Sequence, residues 1–70
     1  MKVYELEFHY GKRTYEFLSN INLEVGKTYM ITDDSGYAYS NRVLIVAEKD
    51  EATFSGNLRE IVSAREETPW

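Results

Sequence analysis

Apolar and polar residues alternate through the first part of the chain. Between Val3 and Tyr10 every second side chain is aromatic or aliphatic; these are Tyr4, Leu6, Phe8 and Tyr10. A period of two predicts a strand with one buried face. Gly11 and Lys12 follow, and glycine at the first central position suits a type II′ turn, whose twist matches two flanking strands. The alternation then resumes, so residues 3–18 predict a β-hairpin.

Further short strands are predicted between groups of turn residues. Residues 21–25 predict an irregular connector whose apolar side chains fill the core. Asp33–Gly36 has turn chemistry, because Asp and Ser side chains bond nearby backbone and glycine accepts a positive φ. Residues 42–48 are apolar on both faces and predict a central strand that is either covered on both sides or packed at an oligomer contact. The predicted strands after the hairpin are 28–32, 37–39, 42–48 and 52–55.

The last apolar segment, residues 58–66, fits two patterns. Helical spacing relates Leu58 to Ile61, Val62 and Arg65. One strand face would instead hold Leu58, Val62 and Ala64, with Ile61 on the other face. We predict a strand, with a short C-terminal helix as the alternative. Five or six short strands in 70 residues predict an all-β fold, a small barrel whose closure removes exposed strand edges. We assign residues 1–66 to this single domain and residues 67–70 to a tail.

Composition narrows the classes of function. The chain has no cysteine, so it can form neither a disulfide nor a thiolate zinc site. Its net charge is −4, which disfavours a phosphate backbone as partner because such binding needs clustered Lys and Arg. No apolar run approaches the length of a membrane span, and the first residues lack the apolar core of a signal peptide. We expect a cytoplasmic protein that has no membrane partner.

Motifs for catalysis or metal binding are weak. His9 is the only histidine and lies with Glu5 and Glu7 on the polar side of the first predicted strand, which is typical of a solvated face. Gly26-Lys27-Thr28 lacks the earlier glycine and the following helix of a phosphate-binding loop. We therefore predict that the protein is not an enzyme and uses no metal and no cofactor.

Aromatic residues are the most informative group. Ten occur in 70 residues, six of them Tyr, and a core of this size holds about half. Some Tyr rings are therefore expected at the surface with the hydroxyl in water. Exposed Tyr beside Arg is typical of protein interfaces and also of platforms on which nucleic-acid bases stack. The predicted binding residues are Tyr37, Tyr39, Arg42, Tyr10, Lys12 and Arg13.

The segment Lys12-x-x-Tyr15-x-Phe17-Leu18, followed by Leu23-x-Val25-Gly26-Lys27-x-Tyr29-x-Ile31, resembles small β-rich proteins of phages of Gram-positive bacteria. The order of its apolar, aromatic and glycine residues is also similar to that in the sequences of SH3-like barrels. The number of predicted strands suits an SH3-like or OB-like barrel. The resemblance spans residues 3–47. It implies a phage accessory protein that works in the cytoplasm of a bacterial host.

Two functions follow as hypotheses. The first is a non-enzymatic module that binds and modulates, most simply by inhibition, a host protein such as a defence or nucleic-acid-processing factor. An acidic surface would suit a basic target of that kind. The alternative is a small-barrel module that binds nucleic acid or a nucleotide through exposed Tyr and Arg. The apolar run of residues 43–46 also predicts a homodimer or higher oligomer, since a second subunit would cover its outer side.

Overall fold

In the computed structural model, which describes residues 1–9, 13–35, 41–53 and 56–67, five strands close into a barrel. The strands are β1 (Lys2–Phe8), β2 (Thr14–Ser19), β3 (Thr28–Asp33), β4 (Asn41–Lys49) and β5 (Glu60–Glu66). Around the barrel their order is β1-β2-β5-β3-β4, with β4 returning to β1. The predicted all-β small barrel is confirmed, and no helix occurs in the described residues.

The predicted hairpin is formed by β1 and β2. The two strands are antiparallel, with Tyr4 opposite Phe17 and Leu6 opposite Tyr15. All four side chains belong to the face predicted to be buried, although Tyr15 is 49% exposed and packs edge-on against Phe8. The predicted turn at Gly11 and Lys12 lies outside the described residues.

The barrel interior is a single apolar cluster contributed by every strand and by the connector between β2 and β3. Because successive strand residues point to opposite faces, each strand supplies alternate side chains to this core. The buried members are Tyr4, Leu6, Phe17, Leu23, Tyr29, Ile31, Val43, Ile45 and Ile61.

The connector is held to the core by two buried tyrosines. The Leu23 N–H donates to the hydroxyl oxygen of Tyr4, and the Glu24 N–H donates to that of Tyr29, both at 3.0 Å. Leu23 fills the core as predicted, but Val25 is 54% exposed, so the prediction was wrong for that residue. Tyr4 and Tyr29 are among the aromatic residues that the core holds, and their hydroxyls bond buried or part-buried backbone.

The prediction that residues 42–48 form a strand is confirmed, cover on both sides was wrong, and the alternative of an oligomer contact stays a prediction. They lie in β4, with Val43 and Ile45 fully buried, but Leu44 and Val46 on the outer face are 37% and 38% exposed. A closed barrel has no central strand between two layers, and none of the five strands packs over this outer face. Val46 is also the extra residue of a β-bulge, because Glu5 pairs with Ala47 and Leu6 with Ile45.

The ambiguous C-terminal segment is a strand, and the alternative of a helix was wrong. β5 contains a second bulge, since Thr32 pairs with Ser63 and Asp33 with Ile61, leaving Val62 unpaired in the ladder. The extra residue brings Ile61 and Ala64, three positions apart, to the same inner side. A spacing of three positions is also typical of one face of a helix, which explains why the sequence pattern fitted both a strand and a helix. The strand face proposed for Leu58, Val62 and Ala64 was wrong for Val62, which is exposed.

The barrel closes through a parallel pairing of β2 with β5, at Leu18 with Glu60 and Ser19 with Ile61. β4 neighbours β1 whereas β5 neighbours β2, and the segment between them crosses to the hairpin, where the Thr53 N–H donates to the Glu16 carboxylate. The strand predicted at 52–55 is wrong for its described residues, since Ala52 and Thr53 are not in a strand. Phe54 and Ser55 lie outside the described residues, as do residues 68–70 of the predicted tail.

Candidate functional site

Two of the six predicted binding residues lie in the described part of the chain, Arg13 and Arg42. Both are exposed, and the backbone places them at the end of the barrel where β1 finishes. There the Phe8 N–H donates to the Arg13 carbonyl, and the His9 N–H donates to the Arg42 carbonyl. No hydrogen bond joins the side chains of Arg13 and Arg42 to each other. The other four, Tyr10, Lys12, Tyr37 and Tyr39, lie outside the described residues.

Arg42 is instead part of a row of three side chains across the outside of the barrel. Met30 on β3 pairs with Arg42 on β4 and, on its other side, with Arg65 on β5. All three point outward, because their neighbours Tyr29, Ile31 and Val43 face the core. Met30 is half-buried while both arginines are exposed. We call Arg42, Met30 and Arg65 the arginine row.

Apolar side chains extend this surface along β4. Leu44 pairs with Thr28 on β3 and projects outward next to the arginine row, and Val46 projects outward one step further. On the other side of the row, the hydroxyls of Thr32 and Ser63 share a hydrogen bond between β3 and β5. The open face is defined here as Met30, Arg42, Leu44, Val46 and Arg65.

The two arginines have no carboxylate partner, in contrast to four of the seven basic side chains in the described ranges. The paired cations are Lys2 with Glu48, Lys27 with Glu24 and Glu66, Lys49 with Glu5 and Glu16, and Arg59 with Asp34. Within the described ranges, neither Arg42 nor Arg65 forms an ion pair. The open face therefore carries two uncompensated positive charges on a chain whose net charge is −4.

The opposite outer face, on the β1–β2 hairpin, is occupied by the chain's own crossing segment. Both oxygens of the Glu16 carboxylate accept the Thr53 N–H, at 3.0 and 2.8 Å, and the Lys49 ammonium donates to Glu16 at 3.0 Å. Lys49 also lies 3.2 Å from Glu5, which stands directly opposite Glu16 in the hairpin. Val3 lies on this side as well and is only 4% exposed. Among the residues that the structure describes, the hairpin face is thus covered whereas the open face is not.

The ion pairs of Lys49 with Glu5 and Glu16 lead us to expect that the stability of the fold decreases as the pH rises in the alkaline range. The pKa of Lys49 is raised above its ordinary value of 10.5, first by the hydrogen bond to Glu16 and then by the one to Glu5. A cation whose pKa rises on folding stabilises the fold below its unfolded-state pKa, and that stability is lost as the pH climbs through the folded-state value. The melting temperature of the wild type should therefore fall more from about pH 9 to about pH 11 than that of Lys49→Arg.

Thermal melts followed by circular dichroism at matched ionic strength measure this difference. Arginine keeps its charge through the whole range, while ionisation of the tyrosines is common to both proteins. Equal falls for the two proteins would contradict the assignment to Lys49.

Met30 and Arg65 were missed by sequence reasoning. Met30 lies in a segment predicted as a strand, and its alternation with Tyr29 and Ile31 could have placed it outside the barrel. Arg65 was assigned to an element of uncertain type. Their juxtaposition with Arg42 follows from the registers of β4 and β5 on β3, which join residues far apart in the chain.

Three comparisons with known proteins found no relative of this chain. No protein-family model, curated protein or solved structure matches the chain. Among the residues that the structure describes, no three His, Asp or Glu side chains are grouped so that they could hold a metal ion. The same residues include no helix with the length and apolarity needed to cross a membrane. The chain is a closed five-stranded barrel, and within the described ranges its open face has no segment of the chain packed over it.

Proposed function

We propose that this chain is a non-enzymatic binding module that attaches to a partner protein through the open face and modulates it. The single observation that supports this is the arginine row, in which two unpaired arginines flank a half-buried methionine. Arg and Met are enriched at the cores of protein interfaces, and Arg is among the commonest binding hot spots. Leu44 adds exposed apolar area directly beside the row.

The setting of the module rests on the resemblance of residues 3–47 to phage proteins of Gram-positive bacteria. It makes the partner a bacterial host protein, such as a defence or nucleic-acid-processing factor, and the place of action the host cytoplasm. Inhibition is the simplest effect of a small barrel on such a partner, since the barrel occupies a surface that the partner uses.

Capture from bacterial lysate, treated with nuclease and analysed by mass spectrometry, tests the proposal. The variant Arg42→Gln/Arg65→Gln should lose the protein that the wild type retains, because a hot-spot residue contributes about 2 kcal/mol, roughly thirtyfold in Kd. The matched control, Lys2→Gln/Arg59→Gln, removes the same two charges from residues off the open face and should retain it. Both variants must first show wild-type melting behaviour.

Other results would redirect the function. Equal capture by the two double variants would contradict a site on the open face. Proteins that disappear with nuclease, with nucleic acid co-purifying in the untreated sample, would favour the nucleic-acid alternative. Recovery of the chain itself as its main partner would favour the predicted homo-oligomer.

A further inference from the structure

We infer that the partner contacts the open face through an acidic segment in which two carboxylates flank an apolar side chain. This inference rests on the proposed function and specifies the chemistry of the partner. The observation behind it is the order of groups in the arginine row, with a cation, a thioether and a second cation on three adjacent strands. A complementary surface presents an anion, an apolar group and a second anion.

The spacing of the row sets the spacing of the carboxylates. Neighbouring strands lie about 4.8 Å apart, so the backbone positions of Arg42 and Arg65 are separated by about 10 Å across β3. An α-helix rises about 1.5 Å per residue, so acidic residues at positions i and i+7 are also about 10 Å apart. A residue at i+3 or i+4 on the same face of that helix would then meet Met30, with Leu44 beside it.

Arginine is suited to this partner because its planar guanidinium binds carboxylates through two parallel hydrogen bonds. Both arginines are available for such pairing, as neither is engaged by a carboxylate of the described residues. The Glu24 and Glu66 carboxylates, by contrast, are already occupied by Lys27. Glu7, which pairs with Leu44 from β1, marks the acidic border of the open face.

A protein segment fits this face better than a nucleic acid does. A duplex carries one charge per about 1.7 Å, so its repulsion from a chain of net charge −4 exceeds that of a segment with two carboxylates. A phosphate backbone also leaves Met30 and Leu44 without an apolar counterpart, whereas an amphipathic helix supplies one. Repulsion from the rest of the acidic barrel is screened beyond a Debye length of about 8 Å.

Fluorescence anisotropy with synthetic peptides tests the inference on the full-length chain. The probe is a helical peptide of about 15 residues with Glu at i and i+7 and Leu at i+3 and i+4. Its matched control has Lys in place of those two Glu, and a labelled oligothymidine reports nucleic-acid binding. The wild type should bind the Glu peptide about tenfold or more tightly than the Lys peptide. The variant Arg42→Glu/Arg65→Glu should reverse that preference.

Each other outcome overturns the inference. Equal affinity for the two peptides, no binding to the Glu peptide, or tighter binding to oligothymidine would exclude an acidic segment as the partner. The uncharged variant Arg42→Gln/Arg65→Gln guards against misfolding of the charge reversal and should bind both peptides equally. If the captured host protein requires the open face but the Glu peptide does not bind, the proposed function stands and the acidic chemistry is wrong.

Discussion

Replacement of Ile45 by alanine is expected to leave most of the protein unfolded in buffer at room temperature. Ile45 has no exposed surface and lies in the single core cluster, opposite Leu6. Truncation of a buried isoleucine to alanine costs about 2–5 kcal/mol, because transfer energy is lost and a cavity remains. A domain of this size has roughly 3–5 kcal/mol of net stability. The loss is therefore comparable with the whole stability of the fold.

Urea denaturation followed by circular dichroism measures this loss, with two matched variants beside it. Ile45→Val removes one methyl group and should cost about 0.5–1.5 kcal/mol, which leaves a folded protein whose midpoint can be determined. Leu44→Ala changes the next residue of β4, which is 37% exposed, and should stay within about 1 kcal/mol of the wild type. A folded Ile45→Ala protein with a midpoint near that of Leu44→Ala would mean that β4 does not face the core as described.

The contrast between Ile45 and Leu44 shows how far the sequence predicts the fold. The run from Val43 to Val46 is apolar at every position, so the period of two is hidden there. The sequence predicts a strand from composition, but which side is buried depends on how β1 and β3 pair with it. The hairpin was predictable because its alternation is complete and its pairing is local in the chain.

The bulges and the parallel closure could not be predicted in the same way. An extra residue such as Val62 is selected by the fit of β5 against β3, and it moves Ile61 and Ala64 to helical spacing. The roles of Tyr4 and Tyr29 were also hidden, because their hydrogen bonds to Leu23 and Glu24 depend on where the connector lies in space. Local propensity contains no information on such contacts.

In the candidate site, too, the features that are local in the chain could be predicted, whereas those that depend on strand pairing could not. Arg42 was singled out for its closeness in sequence to Tyr37 and Tyr39, which lie outside the described residues. Its neighbours across the sheet, Met30 and Arg65, are 12 and 23 positions away in the chain and meet it only through strand registers. Exposure and residue type could thus be predicted for one member of the open face, whereas the face itself is a property of the closed barrel.

The second large effect is expected from Glu16, which holds the crossing segment on the hairpin. Only 9% of its side chain is exposed, and its carboxylate accepts the Thr53 N–H with both oxygens and a hydrogen bond from Lys49. Hydrogen bonds to a charged group contribute about 1.5–3 kcal/mol. Glu16→Ala should reduce stability by about that amount, because the Thr53 N–H loses its acceptor and Lys49 keeps Glu5 as its one carboxylate partner in the described residues, beside the Thr53 hydroxyl.

Two further variants separate the role of the acceptor from that of the charge. Glu16→Gln retains one oxygen for the Thr53 N–H but neutralises the partner of Lys49, so its midpoint should lie between those of Glu16→Ala and the wild type. Glu7→Ala removes a glutamate from the same outer side of the hairpin that has no bonded partner in the described residues, and it should change stability by less than about 0.5 kcal/mol. Equal losses for Glu7→Ala and Glu16→Ala would show that the crossing segment is not held by this carboxylate. A loss confined to Glu16 would instead mean that this one carboxylate holds the crossing segment on the hairpin face.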